Sequence, residues 1–434
     1  MRRLLPAPAR VLAGLVLLGA SGVSARQEAP DSAPAPTPTP GGWAAYAAVP
    51  HPWSTVVAVT VALPVGSADD PRGQGGTAWL VGESVAAGVR DRFSGRPLHV
   101  DVRVERSGTV YRVVTLEEIW PEALDVLEAA LFGGEFEAPG FAGAKAALEA
   151  SLTFESGSPV RDFKRELYTL LSTAGDPWAR DPRGTLDTVV PLGAAEVILF
   201  RAQHYRMSQA ALTVTGAVDP VAVSRRVSGA SPAEPDGTAP VVAAREHEAF
   251  TAPAWETGDR LRLAPEVTSS WIGVAFPVRP GTDLTALELF IHRVREELVT
   301  DPPAPGLFSA EIGLVFRGDR PIFLVEAAVT PDVTDEWEAR ILRTAHVLSA
   351  EILADEFFGW HRRRFRAARL MEEMAPEDEG VRLALDLLRN GRIRDLPGEI
   401  DALEPADMAR AAGALGSPRI LVFGPDLDGR LPVT

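Results

Sequence analysis

VALPVGSADD, residues 61–70, and VAFPVRPGTD, residues 274–283, are two versions of one segment: an apolar run ending in Pro-Val, then a polar turn carrying an acidic residue, 213 residues apart. A second pair, LTVTGAVDP at 212–220 and ILVFGPDLD at 420–428, recurs in the same order, with Gly216 and Gly424 separated by 208. Self-similarity at one offset marks an internal repeat, here of two units that each open and close on a β-branched strand. Outward from residue 61 the first unit reads as a strand (STVVAVTVALPV), a helix (GGTAWLVGESVAAGV) and two alternating strands around Ser107-Gly108, followed by PEALDVLEAALFG, FAGAKAALEASLTFES and PVRDFKRELYTLLSTA with helical periodicity. The second unit repeats this with SSWIGVAFPV, LTALELFIHRVREELV, RPIFLVEAAVTP and a long helical stretch from 334 to 392. Runs of strands separated by runs of helices, taken with the repeat, predict an α+β fold of two homologous domains, each a mainly antiparallel sheet with helices packed on one face.

The expected boundaries are an N-terminal domain over 46–227, an inter-domain linker over 228–262, dense in Pro, Gly and charge, and a C-terminal domain over 263–434. Residues 1–25 place arginines before the apolar run VLAGLVLLGA and small residues after it, the order of a secretory signal peptide cleaved after Ala25. Residues 26–45, rich in Pro and Ala, read as an extended tether. After cleavage no transmembrane segment is expected, since no later stretch reaches about eighteen apolar residues. The predicted localisation is exported, periplasmic or extracellular.

The 434 residues contain no cysteine, which excludes a disulfide scaffold and thiolate metal sites. The formal net charge of −16 repels phosphate backbones, so nucleic acid is not an expected partner. The seven histidines, His51, His99, His204, His247, His292, His346 and His361, include no pair three or four residues apart. A histidine pair on one helix face is therefore absent, and no G-x-S-x-G or G-x-x-x-x-G-K motif stands in its place.

The stretch GSADDPRGQGGTAWLVGES, residues 66–84, resembles the approach to the active-site helix of the pitrilysin and insulinase-like zinc metallopeptidases, the inverted zincins, whose signature is H-x-x-E-H. Gly66, Ser67, Asp70, Pro71, Gly73, Gly76 and Ala78 fall on the family's frame, and GDPWARDPRGTLDTV at 175–189 resembles a further conserved segment of it. Histidines at i and i+4 hold one Zn²⁺ at about 2.0–2.1 Å, and the glutamate between them acts as general base on the metal-bound water. Here those places read Trp79, Gly82 and Glu83, with Leu80 and Val81 between. The resemblance puts the third ligand, a glutamate in active members, at Ser151 in AKAALEASLTF, with a supporting position at Ala144 and with Glu149 and Glu155 nearby. Two carboxylates without an imidazole hold zinc weakly, so no metal or other cofactor is expected.

Trp79 reads either as a plug in the vacated metal position or as an ordinary core tryptophan, and Glu83 reads as a solvated carboxylate rather than a surviving ligand. In active relatives an arginine and a tyrosine of the second domain grip the substrate; the matching residues are Arg295 and Phe308, and phenylalanine lacks the hydroxyl donor. The basic cluster WHRRRFRAAR at 360–369 reads as a solvated helix face balanced by acidic neighbours, the other reading being a docking patch for an acidic partner.

With the repeat, the resemblance implies sheets of about six strands in each domain, enclosing a cleft, and a catalytically degenerate, non-catalytic subunit that pairs with a zinc-bearing homologue in a peptide-degrading complex and takes extended peptides in that cleft. The other readings are a stand-alone peptide-binding or scaffold protein, and an active zinc metalloendopeptidase with rearranged ligands.

Overall fold

A computed structural model of the chain describes residues 42–134, 138, 140–173, 175–229, 259–299, 304–318, 320–351, 353–372 and 374–426. The expected signal peptide, nearly all of the tether and most of the linker lie outside these residues.

The first half runs β1 (Ala45–Pro50), β2 (Val57–Leu63), α1 (Thr77–Arg92), β3 (Leu98–Val104), β4 (Thr109–Thr115), α2 (Trp120–Phe132), α3 (Phe141–Phe154), α4 (Pro159–Leu170), α5 (Leu186–Val189), α6 (Ala194–His204), β5 (Ala211–Gly216) and α7 (Pro220–Gly229). The second runs β6 (Arg260–Leu263), β7 (Ser270–Pro277), α8 (Leu284–Leu298), β8 (Leu307–Arg317), β9 (Arg320–Val329), α9 (Thr334–Ala350), α10 (Asp355–Glu372), α11 (Pro376–Asn390), α12 (Leu396–Ala402), α13 (Pro405–Ala412) and β10 (Arg419–Phe423). Arg260 to Arg262 thus belong to the second sheet, where the sequence suggested linker, and Ala45 belongs to the first.

Each half holds a five-stranded sheet among the described residues, of order β1-β5-β2-β4-β3 and β6-β10-β7-β9-β8. The two orders are the same topology: the first strand of each half lies parallel to the last, and the remaining pairings are antiparallel. This is the α+β two-domain fold that the repeat implied, with one strand fewer per sheet.

The two faces of β2 differ. Val57, Val59, Val61 and Leu63 enter the main core of the first half with Leu80, Val81 and Val85 of α1 and Leu124 and Leu127 of α2. The alternate residues Ala58, Thr60 and Ala62 are equally buried, so all seven residues of the strand are out of water. Their cover comes from the other half. Helix α11 crosses this second face, with the Thr213 and Thr215 hydroxyls donating to the carbonyls of Gly380 (2.8 Å) and Pro376 (2.6 Å). The approach is close because both surfaces are small: a Cβ at Gly380 would stand 3.0 Å from the Thr60 Oγ1.

The exchange is reciprocal. From α4, Phe163 and Leu167 pack with Leu171 and Trp178 against Ala275, Ile322, Leu324, Leu421 and Phe423 of the second sheet. Leu167 fills the space left by Gly273, where a Cβ would lie 2.7 Å from its Cδ1. Each sheet therefore carries its own helices on one face and a helix of the other half on the opposite face, and burial of each large apolar side chain there contributes about 1.5–3 kcal/mol.

Candidate functional site

The site expected from the sequence begins in the connection from β2 to α1. Its backbone is pinned to the β3–β4 turn: Ser67 and Ala68 amides donate to the Glu105 and Arg106 carbonyls, both at 2.9 Å. Asp70 then turns inward, and its buried carboxylate accepts from the Gly76 amide (2.8 Å) and the Ala78 amide (2.7 Å). These donors lie at the start of α1, where amides have no partner within the helix, so Asp70 caps it from a distance in sequence. Burial pushes the Asp70 carboxyl up to about 7, against the opposing pull of the two amides and of Arg180. Arg180 also donates to the Asp70 carbonyl at 3.0 Å, which ties the segment around residue 180 to this loop. Gly76 must be glycine: its φ is +95°, and a Cβ would meet the Arg183 carbonyl oxygen at 2.7 Å. The sparse identities at 66–78 and 175–189 thus mark two loops that fold onto each other.

On α1 the motif positions share a helix but not a chemistry. Trp79 is half-buried and packs against the first-half core. Glu83 is half-exposed and pairs with Arg90 at 3.1 Å. Between them Gly82 is fully enclosed, and a Cβ there would stand 2.7 Å from Val104 Cγ2 and 3.2 Å from Val102 Cγ2. The helix lies close on β3 here, and the two valine methyls crowd the place at which the resemblance expects the general base.

The residue at which the resemblance expects the third ligand has other partners. Ser151 lies on α3 and donates to Glu155 at 3.0 Å. Glu155 receives both terminal nitrogens of Arg183, each at 2.7 Å, and this bidentate pairing holds its carboxyl below the usual range. Asp181 in turn accepts from Arg161 at 3.0 Å. Ala144 packs against the core, and Glu149 stands 3.7 Å from Lys145. Carboxylate and guanidinium groups occupy this corner as a closed network. Zinc, implied by the family resemblance, does not suit these residues: the place of the first ligand is an indole, that of the base has no room, and the nearby carboxylate is claimed by Arg183. Among the described residues no three His, Asp or Glu side chains converge on a point where they could hold a metal ion.

In the second half, α8 follows β7 as α1 follows β2. Arg295, in its last turn, donates to the Ile312 carbonyl of β8. Its guanidinium thus ties helix to strand. Phe308, on β8 beside a register shift at Leu307/Ser309, is 63% exposed. The sequence brought out the α1 positions and Ser151 but not Arg183, Arg161 or the capping role of Asp70. The only signal for Arg183 was the charge-rich ARDPRGT run, which has no periodicity, while Arg161 lay within a helical run and Asp70 was marked only as a residue of the loop frame.

No protein-family profile matches the chain, and no curated protein matches it by sequence. Solved structures match by fold. A protease from Helicobacter pylori superposes with a TM-score of 0.72 at 15% identity, over 90% of this chain and 99% of that one. The peptidase M16 inactive domain from Pseudomonas fluorescens gives 0.73 at 15% identity, over 90% and 98%. The periplasmic protease PqqL from Escherichia coli gives 0.67 at 11% identity, over 96% of this chain and 49% of that one. The chain therefore has the two-domain fold of M16-type peptidases. That fold is carried by a protease and by an inactive domain alike, so activity turns on the residues at the site.

Proposed function

We propose that this protein is an exported, catalytically degenerate relative of the M16 peptidases, acting as the non-catalytic subunit beside a zinc-bearing homologue in a peptide-degrading complex. The observation that carries the reading is Gly82, set so close to Val102 and Val104 that a side chain at the expected place of the general base would overlap their methyls. The Ser151–Glu155–Arg183 network supports it, because the acid that stands next to the third-ligand place is neutralised by an arginine. The partner reading draws on size: this chain corresponds to 49% of the Escherichia coli periplasmic protease, so two such chains equal one of that protein's length. The same relative's compartment, together with the signal-like residues 1–25, supports export to the periplasm. In the complex the chain contributes two rigid sheets whose edge strands, β3 and β8, offer backbone groups to an extended peptide. Its domains fall on either side of the segment around 228–262.

The test is a peptidase assay on the purified chain, alone and with a co-expressed zinc-bearing homologue from the same source. Hydrolysis of unstructured fluorogenic peptides is expected only from the pair. Chelator-sensitive hydrolysis by this chain alone overturns the reading, and failure of the two to co-purify leaves a stand-alone peptide-binding protein in its place.

A further inference from the structure

Helix α10 carries a second apolar stripe that the fold does not use. Its inward side chains are Phe358 and Phe365, both buried. On the opposite side Phe357, Trp360, Arg364, Ala367 and Met371 follow at steps of three and four and are all exposed, with Phe357 and Met371 at 65% and 71%. Leu370 flanks the row and Met374 continues it just past the helix end, both exposed. Spacing of 3, 4, 3, 4 is the seam of a helix that receives another helix, since an alternating three-four step keeps one narrow row facing a partner. The row is about 21 Å long at about 1.5 Å per residue, enough for four turns of a facing helix.

The charges beside the seam decide what kind of partner fits. Several arginines of the helix are satisfied within the chain. Arg362 donates to the Asp401 and Leu403 carbonyls, Arg366 pairs with Asp401, and Arg369 pairs with Glu372. Arg364 sits on the seam itself, 2.6 Å from Glu296 and with its guanidinium 4.6 Å from the Trp360 ring centre. Arg363, next to it and exposed, has no carboxylate partner among the described residues. Arg364 is thus compensated by Glu296, and Arg363 leaves one uncompensated positive charge beside the middle of the stripe. A second copy docked in register would bring Arg363 against Arg363, an unfavourable like-charge contact. The net charge of −16 in turn opposes attachment to an anionic lipid surface.

We propose that the outer face of α10 docks an amphipathic helix of a partner protein, one that lays apolar residues on Phe357, Trp360 and Met371 and sets an aspartate or glutamate against Arg363. The surface is independent of the peptidase-like site and of whether that partner bears zinc. In this mode a helix reads its groove through anchors at i, i+3 and i+7, and the central ion pair sets orientation.

The test uses the full chain and two labelled helical peptides of three heptads with leucine at the core positions, one with glutamate and one with lysine in the central layer. By fluorescence anisotropy the glutamate peptide is expected to bind saturably, and the lysine peptide about tenfold or more weakly. Binding of the glutamate peptide is expected to be lost in Phe357→Ser/Met371→Ser, whose melting temperature stays at the wild-type value because both side chains are in water. Equal binding of the two peptides, binding that survives in the variant, or no binding to the wild type overturns the proposal. So does self-association in sedimentation, or flotation with phosphatidylglycerol-containing vesicles, that is abolished by the same substitutions.

Discussion

Gly82→Ala separates two opposing effects at the position of the missing general base. Alanine inside a helix is favoured over glycine by about 0.5–1 kcal/mol, through the lower entropy of the unfolded chain. Here the added Cβ would stand 2.7 Å from Val104 Cγ2 and 3.2 Å from Val102 Cγ2. Valine methyls on a sheet cannot swing away, and overpacking of this kind costs about 1–3 kcal/mol. The clash wins, leaving a net loss of about 0.5–2 kcal/mol. For a chain of 434 residues unfolding as one unit, at about 1–1.5 °C per kcal/mol, that lowers the melting temperature by about 1–3 °C. The control is a double-mutant cycle with Val104→Ala, which removes the nearer methyl and unmasks the helix preference. In that background Gly82→Ala should be neutral or stabilising, a coupling of about 1–2 kcal/mol. Thermal and urea unfolding followed by circular dichroism read both arms. A higher melting temperature for Gly82→Ala in the otherwise unchanged chain, or the same change in both backgrounds, refutes the packing account, and with it the reason given for the loss of the general base.

Restoring the motif by Trp79→His, Gly82→Glu and Glu83→His together is expected to leave zinc far below one equivalent after dialysis, as read by elemental analysis; a full equivalent in a folded variant contradicts the closed site. Leu167→Ala should cost about 2–5 kcal/mol, because the side chain fills the space above Gly273. It should also shift a single unfolding transition shared by both halves, and two separate transitions would show that the exchanged helices do not couple them. The Asp70 carboxyl, at about 7 in the fold, lies above its ordinary value of about 3.9 in an unfolded chain. Its contribution to stability is thus complete below about pH 4 and is lost as the pH rises through about 7. The melting temperature of the wild type relative to Asp70→Asn should fall across that window, and a pH-independent difference would count against a raised carboxyl.

Much of the fold is local and was legible. The period-two burial of β4, with Tyr111 and Val113 inward, follows from TVYRVVT as written. The repeat at 61–70 and 274–283 announced that β7 and α8 would stand to the second sheet as β2 and α1 stand to the first. The absence of a histidine pair spaced for one helix face was equally plain in the sequence, because two imidazoles on one helix need a spacing of four and no histidine pair has it. The exchange of α4 and α11 was not legible. Periodicity tells which side of a helix is apolar, but the choice of sheet depends on gaps such as Gly273 and Gly380 that lie more than a hundred residues from what fills them. The same limit applied at the site, where sequence alone named Gly82, Ser151 and Arg295. That a valine pair closes the first, that Arg183 claims the acid beside the second, and that the Ile312 carbonyl holds the third were decided only when distant segments met.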